Sequence, residues 1–130
     1  MSDRPYLKPD LNKPVISNQD MTASFNGPAT VLAQKTALSW QLVWTGTPTG
    51  TFSVQTSNTF SQNPEGSIGN AGSWDTIPSS AFTGSLPAPS GSAGSGTIDL
   101  VGTGVFAVRL VYTAVSSDGT LNVYPCSKVF

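Results

Sequence analysis

Seven carboxylates and no histidine bound the chemistry open to this 130-residue chain. The acids are Asp3, Asp10, Asp20, Glu65, Asp75, Asp99 and Asp118, each standing alone and mostly in or beside turn-forming residues. General acid–base catalysis needs paired titratable groups in a pocket, and glycoside hydrolysis needs two carboxylates flanking a sugar. Glu65 and Asp75 are the pair that one loop could bring together, and two solvated loop carboxylates are the simpler reading. Without histidine a Ser-His-Asp or Cys-His arrangement cannot be built. Cys126 is the single cysteine, so an intrachain disulfide is excluded, and no Cys/His cluster offers a metal site. Cys126 reads as a small buried hydrophobe near the end of the last strand. The expectation is a protein with no catalytic residues, no metal and no cofactor.

Other candidates fare differently. The stretch "GTPTG", Gly46 to Gly50, lacks the lysine and following helix of a phosphate-binding loop. Six basic residues are too few for a nucleic-acid footprint. Arg109 interrupts an apolar strand, and it either faces solvent, pairs with Asp75 or Asp99 at the sheet surface, or contacts another subunit. Trp40, Trp44, Trp74, Tyr112 and Tyr124 raise a sugar-stacking reading. Trp40 and Trp44 share a face with Leu38 and Leu42, which makes them core. Trp74, in "NAGSWDTIP" at the end of a loop, is the aromatic residue with room for exposure, although packing over the sandwich end is the stronger reading; with Asn63 and Glu65 it forms the candidate set of loop contacts.

The elements that would position these residues have a period of two. "TALSWQLVWT" puts Leu38, Trp40, Leu42 and Trp44 on one face; "TFSVQTS" aligns Phe52, Val54 and Thr56. "GVFAVRLVYTAV" aligns Phe106, Val108, Leu110 and Tyr112, and "GTLNVYPCSKVF" begins with Leu121 and Val123. Pro125 interrupts that last run, as suits an edge strand or a bulge. Shorter strands are expected at 21–25, 29–34, 73–77 and 96–101. Gly46 to Gly50 reads as a hairpin connection between its flanking strands, and Asp118-Gly119 is a second hairpin signal. Gly102 to Gly104 separates two further strands. Residues 57–73 and 83–96 read as long surface loops, the second too polar to pack. The fold class is all-β: an antiparallel, jelly-roll-like β-sandwich over residues 16–130, preceded by an extended N-terminal arm over residues 1–15.

The arm holds Pro5, Pro9 and Pro14, which exclude a helix and favour extended backbone. It carries Arg4, Lys8 and Lys13 against Asp3 and Asp10. Two fates are open to such a segment: a frayed terminus, or an arm that orders on a neighbour through Tyr6, Leu7 and Leu11. Its partner-binding candidates are Arg4, Tyr6, Leu7, Lys8, Leu11 and Lys13. Only 10% of the chain is charged, with a net charge of −1, which suits a surface lying against other copies or another protein. No apolar run reaches the roughly 18 residues of a membrane span, and the first 15 residues have no apolar core of a signal peptide. Neither membrane nor nucleic acid is expected as a partner.

"LVWTGTPTGTFSVQTSN", "NAGSWDTIP", "GSGTIDL" and "FAVRLVYTAVSSDGTLNVYPCSKV" together resemble a group of small β-sandwich virion proteins of tailed bacteriophages. The resemblance runs from about Thr36 to Val129 and leaves out the arm. Ala114 and Val115 follow Thr113 where that group often continues with threonine and arginine. The resemblance implies a virion structural protein, assembled in the host cytoplasm: a capsid decoration (cement) protein that binds the major capsid protein or other virion proteins. A homo-oligomer, dimer or trimer, fits that setting. The alternative is a receptor- or glycan-binding module of a phage tail or head fibre, working through the two long loops and Trp74. A secreted carbohydrate-binding domain is a third reading, which the N-terminal sequence disfavours.

Overall fold

Alternating apolar and polar residues make strands with one buried and one open face, and two such faces closed on each other make the core. The computed structural model describes residues 15–31, 37–65, 67–78, 86–101, 107–116 and 118–128. The strands are β1 (Ile16–Asp20), β2 (Phe25–Asn26), β3 (Thr30–Val31), β4 (Ala37–Gly46), β5 (Thr49–Ser57), β6 (Ser61–Gln62), β7 (Ile68–Asn70), β8 (Asp75–Thr76), β9 (Gly94–Val101), β10 (Ala107–Ser116) and β11 (Gly119–Lys128). Sheet A has the order β1-β11-β4-β9, and sheet B the order β2-β10-β5-β8 with β3 also on β10. All pairings are antiparallel. The protein is an all-β sandwich of two antiparallel sheets, as the periodicity required.

The expected inward faces are the observed ones. Leu38, Trp40, Leu42, Trp44, Phe52, Val54, Val108, Leu110, Tyr112, Leu121 and Val123 are all buried and form one cluster with Ile16, Met21, Ile98 and Leu100. Phe52 and Tyr112 pack with ring centroids 5.1 Å apart, and Phe25 and Trp44 extend that aromatic row. Phe106 lies outside the described residues, as do the glycines at 102–104.

Both hairpin expectations are corrected. β4 and β5 lie in different sheets, and so do β10 and β11. Gly46 faces Gly119 in sheet A while Thr49 faces Ser116 in sheet B, so the paired strands run as one long antiparallel ribbon folded across a corner. Two features make the corner. Gly46 adopts φ +82° with Asp118 O 2.8 Å from where a Cβ would sit, and Thr47 N–H donates to that same Asp118 carbonyl at 2.8 Å. Pro48 is fully buried at the bend, packed against Gly119. A turn glycine and a proline reverse a chain within a sheet or carry it between sheets equally well, and closure of the core selects the second. The ribbon folded in half is the jelly-roll-like feature.

Other boundaries shift for local reasons. The strand expected at 21–25 is a bend, and the pairing lies on either side of it in β1 and β2. In β1 the register slips between Ile16 and Gln19, where Asn18 has φ +51°, so the alternation is broken by a bulge. The loop expected at 83–96 is not free surface where it is described. Leu86 packs on the core, Pro89 is buried with its carbonyl accepting from Gly50 N–H at 3.2 Å, and β9 begins already at Gly94. Pro125 stays in register opposite Trp40, without a bulge. Val123, two residues earlier, points its carbonyl toward β1 and accepts from Val15 N–H at 2.8 Å. Pro125 therefore directs its missing N–H to the β1 side, where no described residue of β1 stands opposite it. Because the pleat continues through it, Cys126 falls on the outer face, half-buried opposite Ser39, rather than in the core.

Candidate functional site

On the outer face of sheet B, Gln55 stands opposite Arg109 and Ser57 opposite Ala107. The segment after β5 folds back over these positions. Ser57 Oγ accepts from the N–H groups of Thr59 (3.2 Å) and Phe60 (3.0 Å), which turns the chain sharply at the strand end. Gly72, at φ +79°, crosses so close that a Cβ would lie 2.8 Å from Phe60 Cα. Thr59 Oγ1 then accepts from Ser73 N–H at 2.7 Å and fixes the approach of Trp74. The result is an aromatic clamp: Phe60 is buried, its ring is 5.7 Å from that of Trp74, and the Arg109 guanidinium lies 4.4 Å above the indole. Arg109 Nε donates to Gln55 Oε1 at 2.8 Å, and burial lowers the pKa of the guanidinium from its ordinary value. Among the described residues, neither Asp75 nor Asp99 pairs with Arg109; an aromatic face and a neutral amide satisfy it instead.

The three expected loop contacts fall in two places. Trp74 is half-buried at the base of the segment, with one ring face under Arg109 and its indole N–H donating to Ala71 O at 2.8 Å. Asn63 and Glu65 lie together at the exposed tip of the β6–β7 hairpin. There Asn63 N–H donates to Ser67 O (2.8 Å), Asn63 Nδ2 to Ser67 Oγ (2.9 Å), and Ser67 Oγ to Glu65 Oε2 (2.7 Å). The Ser67 hydroxyl holds the Glu65 carboxyl below its ordinary pKa. Glu65 thus closes its own turn, and Asp75 sits in β8 opposite Thr56. Asp20 ends β1 in the same manner, accepting from Thr22 N–H at 2.9 Å, which lowers its pKa. The arm candidates Arg4, Tyr6, Leu7, Lys8, Leu11 and Lys13 lie outside the described residues.

The broad surface that the sequence reading passed over is the outer face of sheet A. Its rungs are Cys126–Ser39–Asp99, Tyr124–Gln41–Thr97 and Asn122–Val43–Ser95. One carboxylate is the sole charge on these three rungs, and Tyr124 stands 40% exposed at the middle one. The register needed to see this face is set by the folded ribbon, but its residue types were legible: on these three rungs the outward positions of β4, β9 and β11 are mostly Ser, Thr, Asn and Gln, with Asp99 the sole charge. Among the described residues, no group of three or more His, Cys, Asp or Glu converges as a metal site would require. No helix is long and apolar enough to cross a membrane among them.

No protein-family model matches the chain, and no curated protein matches it. Among solved structures, it is similar to the crystal structure of SPBc2 prophage-derived protein YomS, at 13% identity and a TM-score of 0.38, over 91% of this chain and 97% of that one.

Proposed function

We propose that this chain is a non-enzymatic virion structural protein of a tailed bacteriophage, a capsid decoration or cement protein on the outer surface of the shell. The observation that carries the reading is the outer face of sheet A, where β11, β4 and β9 run in unbroken register around Tyr124 and Asp99 is the sole charge on three rungs. The centres of protein interfaces are depleted in charge and enriched in aromatic residues. A flat face of this composition suits a large, pre-formed partner such as the major capsid protein. The strands behind it are those whose residues resemble the phage virion group. A protein bound across neighbouring capsomers opposes their separation by the free energy of its own binding. The arm, with three prolines that limit its freedom before docking, acts as the latch to a neighbouring subunit. Localisation to the virion, after assembly in the host cytoplasm, follows from this role.

The receptor- or glycan-binding alternative has less to work with. A sugar platform needs an open ring face and free donors, and Trp74 gives one face to Arg109 and its N–H to Ala71.

The test is co-sedimentation with shells purified from the phage that encodes the chain. Tyr124→Glu places a charge at the centre of the face without touching the core, and it is expected to abolish decoration while leaving the sandwich folded. Undiminished decoration by Tyr124→Glu would remove the basis of the proposal. Loss of host-cell adsorption in Trp74→Ala, with shells still decorated, would favour the receptor reading.

A further inference from the structure

Most sheet edges among the described residues are short or distorted. β2, β3 and β8 have two residues each, and β1 is bulged at Asn18. Such devices keep an edge from pairing with another chain. β9 is different: an eight-residue edge strand, "GSGTIDLV", with no proline, no lysine and a regular register against β4. The direction of its free groups follows from parity. Val123 points its backbone groups toward β1, so Leu42 opposite it points toward β9 and bonds Gly96. Hence the even positions of β9 bond β4, and Ser95, Thr97, Asp99 and Val101 present their N–H and C=O groups outward. Among the described residues, no backbone hydrogen bond between loops or turns reaches them.

The arm sequence complements that edge. Pro5 and Pro9 share odd parity, so an extended run from Arg4 to Asn12 has every N–H intact at its even positions. The same parity separates side chains: Pro5, Leu7, Pro9 and Leu11 on one face, Arg4, Tyr6, Lys8 and Asp10 on the other. Backbone and side-chain directions are coupled in a strand. Antiparallel addition through the even positions sends the prolines' nitrogens to solvent, Leu7 and Leu11 toward the core layer, and Lys8 to the outer face beside Asp99. Parallel addition would turn Arg4 and Lys8 inward.

We propose that β9 is the acceptor edge for the N-terminal arm of a second copy of this chain, added antiparallel as a fifth strand of sheet A. The arm of the same copy does not reach when the whole run from Arg4 to Asn12 is paired. It enters at β1, on the far edge, and the added strand would lie four inter-strand steps away, roughly 19 Å. The four residues from Asn12 to Ile16 span at most about 14 Å when extended. The proposal deepens the latch by naming its partner, and it is tested without shells, so its failure and the failure of the decoration reading are separable.

The experiment is the mass of the full chain by light scattering across a concentration series, with proline moved along the arm. Wild type is expected to associate above the 13.5 kDa monomer. Lys8→Pro puts proline on the pairing parity and is expected to weaken association roughly tenfold or more, by deleting a ladder bond and its geometry. Pro9→Ala restores an N–H on the solvent parity, leaves every pairing position intact and is expected to retain association. Thr97→Pro, which removes an outward N–H from β9 itself, is expected to match Lys8→Pro, with circular dichroism confirming that the sandwich is intact. A wild-type chain that stays monomeric at hundreds of micromolar overturns the proposal. So does equal behaviour of Lys8→Pro and Pro9→Ala, or full association of a chain lacking residues 1–14.

Discussion

Tyr112→Phe is expected to leave this protein as stable as the wild type or more so, against the usual outcome for a buried tyrosine. The Tyr112 ring is fully buried between Phe25 and Phe52, and its hydroxyl has no hydrogen-bond partner among the described residues. The oxygen abuts Gly50, 2.5 Å from where a Cβ would sit there. A buried hydroxyl without a partner carries a desolvation penalty of about 1–3 kcal/mol. Deleting it removes that penalty and gives up one atom's packing contacts, worth some tenths of a kcal/mol. The net is a gain of about 0.5–1.5 kcal/mol near neutral pH, or roughly 2–6 °C in Tm for a domain of this size. The gap should then widen at alkaline pH. Burial raises the Tyr112 pKa above its ordinary value of 10.0. Unfolded Tyr112 loses its proton near that value while folded Tyr112 keeps it, so the native state binds more protons there. Wild-type stability therefore falls as pH rises through the window, by up to about 1.4 kcal/mol per pH unit from this group, and the variant escapes that term. Urea denaturation followed by tryptophan fluorescence, at pH 7 and in steps above pH 9.5, measures both effects. A loss above about 1 kcal/mol at pH 7 would mean that the hydroxyl has a partner, and parallel alkaline limbs would mean that it is not held neutral.

Gly46→Ala places a Cβ 2.8 Å from Asp118 O at a backbone φ of +82°, and a loss of about 2–4 kcal/mol by urea denaturation is expected. A double-mutant cycle between Trp74→Ala and Arg109→Met is expected to show coupling of roughly 0.5–1.5 kcal/mol from the 4.4 Å contact, and zero coupling would dismiss the clamp. Ser67→Ala is expected to raise the Glu65 pKa toward its ordinary value, read from the carboxyl shift in an NMR titration, because the Ser67 hydroxyl is the main cause of its lowering.

Alternation made the long strands and most of the core readable in advance, since each inward run from Leu38 to Val123 keeps strict period two. What alternation does not encode is which sheet a strand joins. Gly46, Pro48 and Gly119 look the same whether the chain reverses beside itself or crosses to the other sheet, because a positive-φ glycine such as Gly46 and a proline serve either course. The bulge at Asn18 hid β1 by breaking the period after one apolar residue. Met21 and Phe60 were missed as buried residues because each is an isolated apolar side chain in polar sequence, pulled inward by tertiary contacts. The clamp was half legible: Arg109 and Trp74 stood out by type, and only the path of the chain from Ser57 to Trp74 brings them together.

The corner and the open edge are connected. Because β4 and β11 continue into β5 and β10, these four strands take the central positions of both sheets, and shorter segments are left for the margins. Sheet B closes its margins with two-residue strands, whereas sheet A has β1 on one side and the full-length β9 on the other. β9 also needs its glycines: the Trp44 indole crosses Gly94, with its N–H donating to Ser92 O at 3.0 Å, and Pro87 packs on Gly96. The inner side of this margin is therefore sealed by a tryptophan and a proline while its backbone edge is left regular. That combination holds β9 in register, with no cap on it among the described residues, which is the condition an incoming strand requires. Bulging β9 would protect the edge, but it would move Ile98 and Leu100 off the core face. The core thus constrains β9 to stay in register, and under the proposal above the segment that covers it is the arm of a second copy.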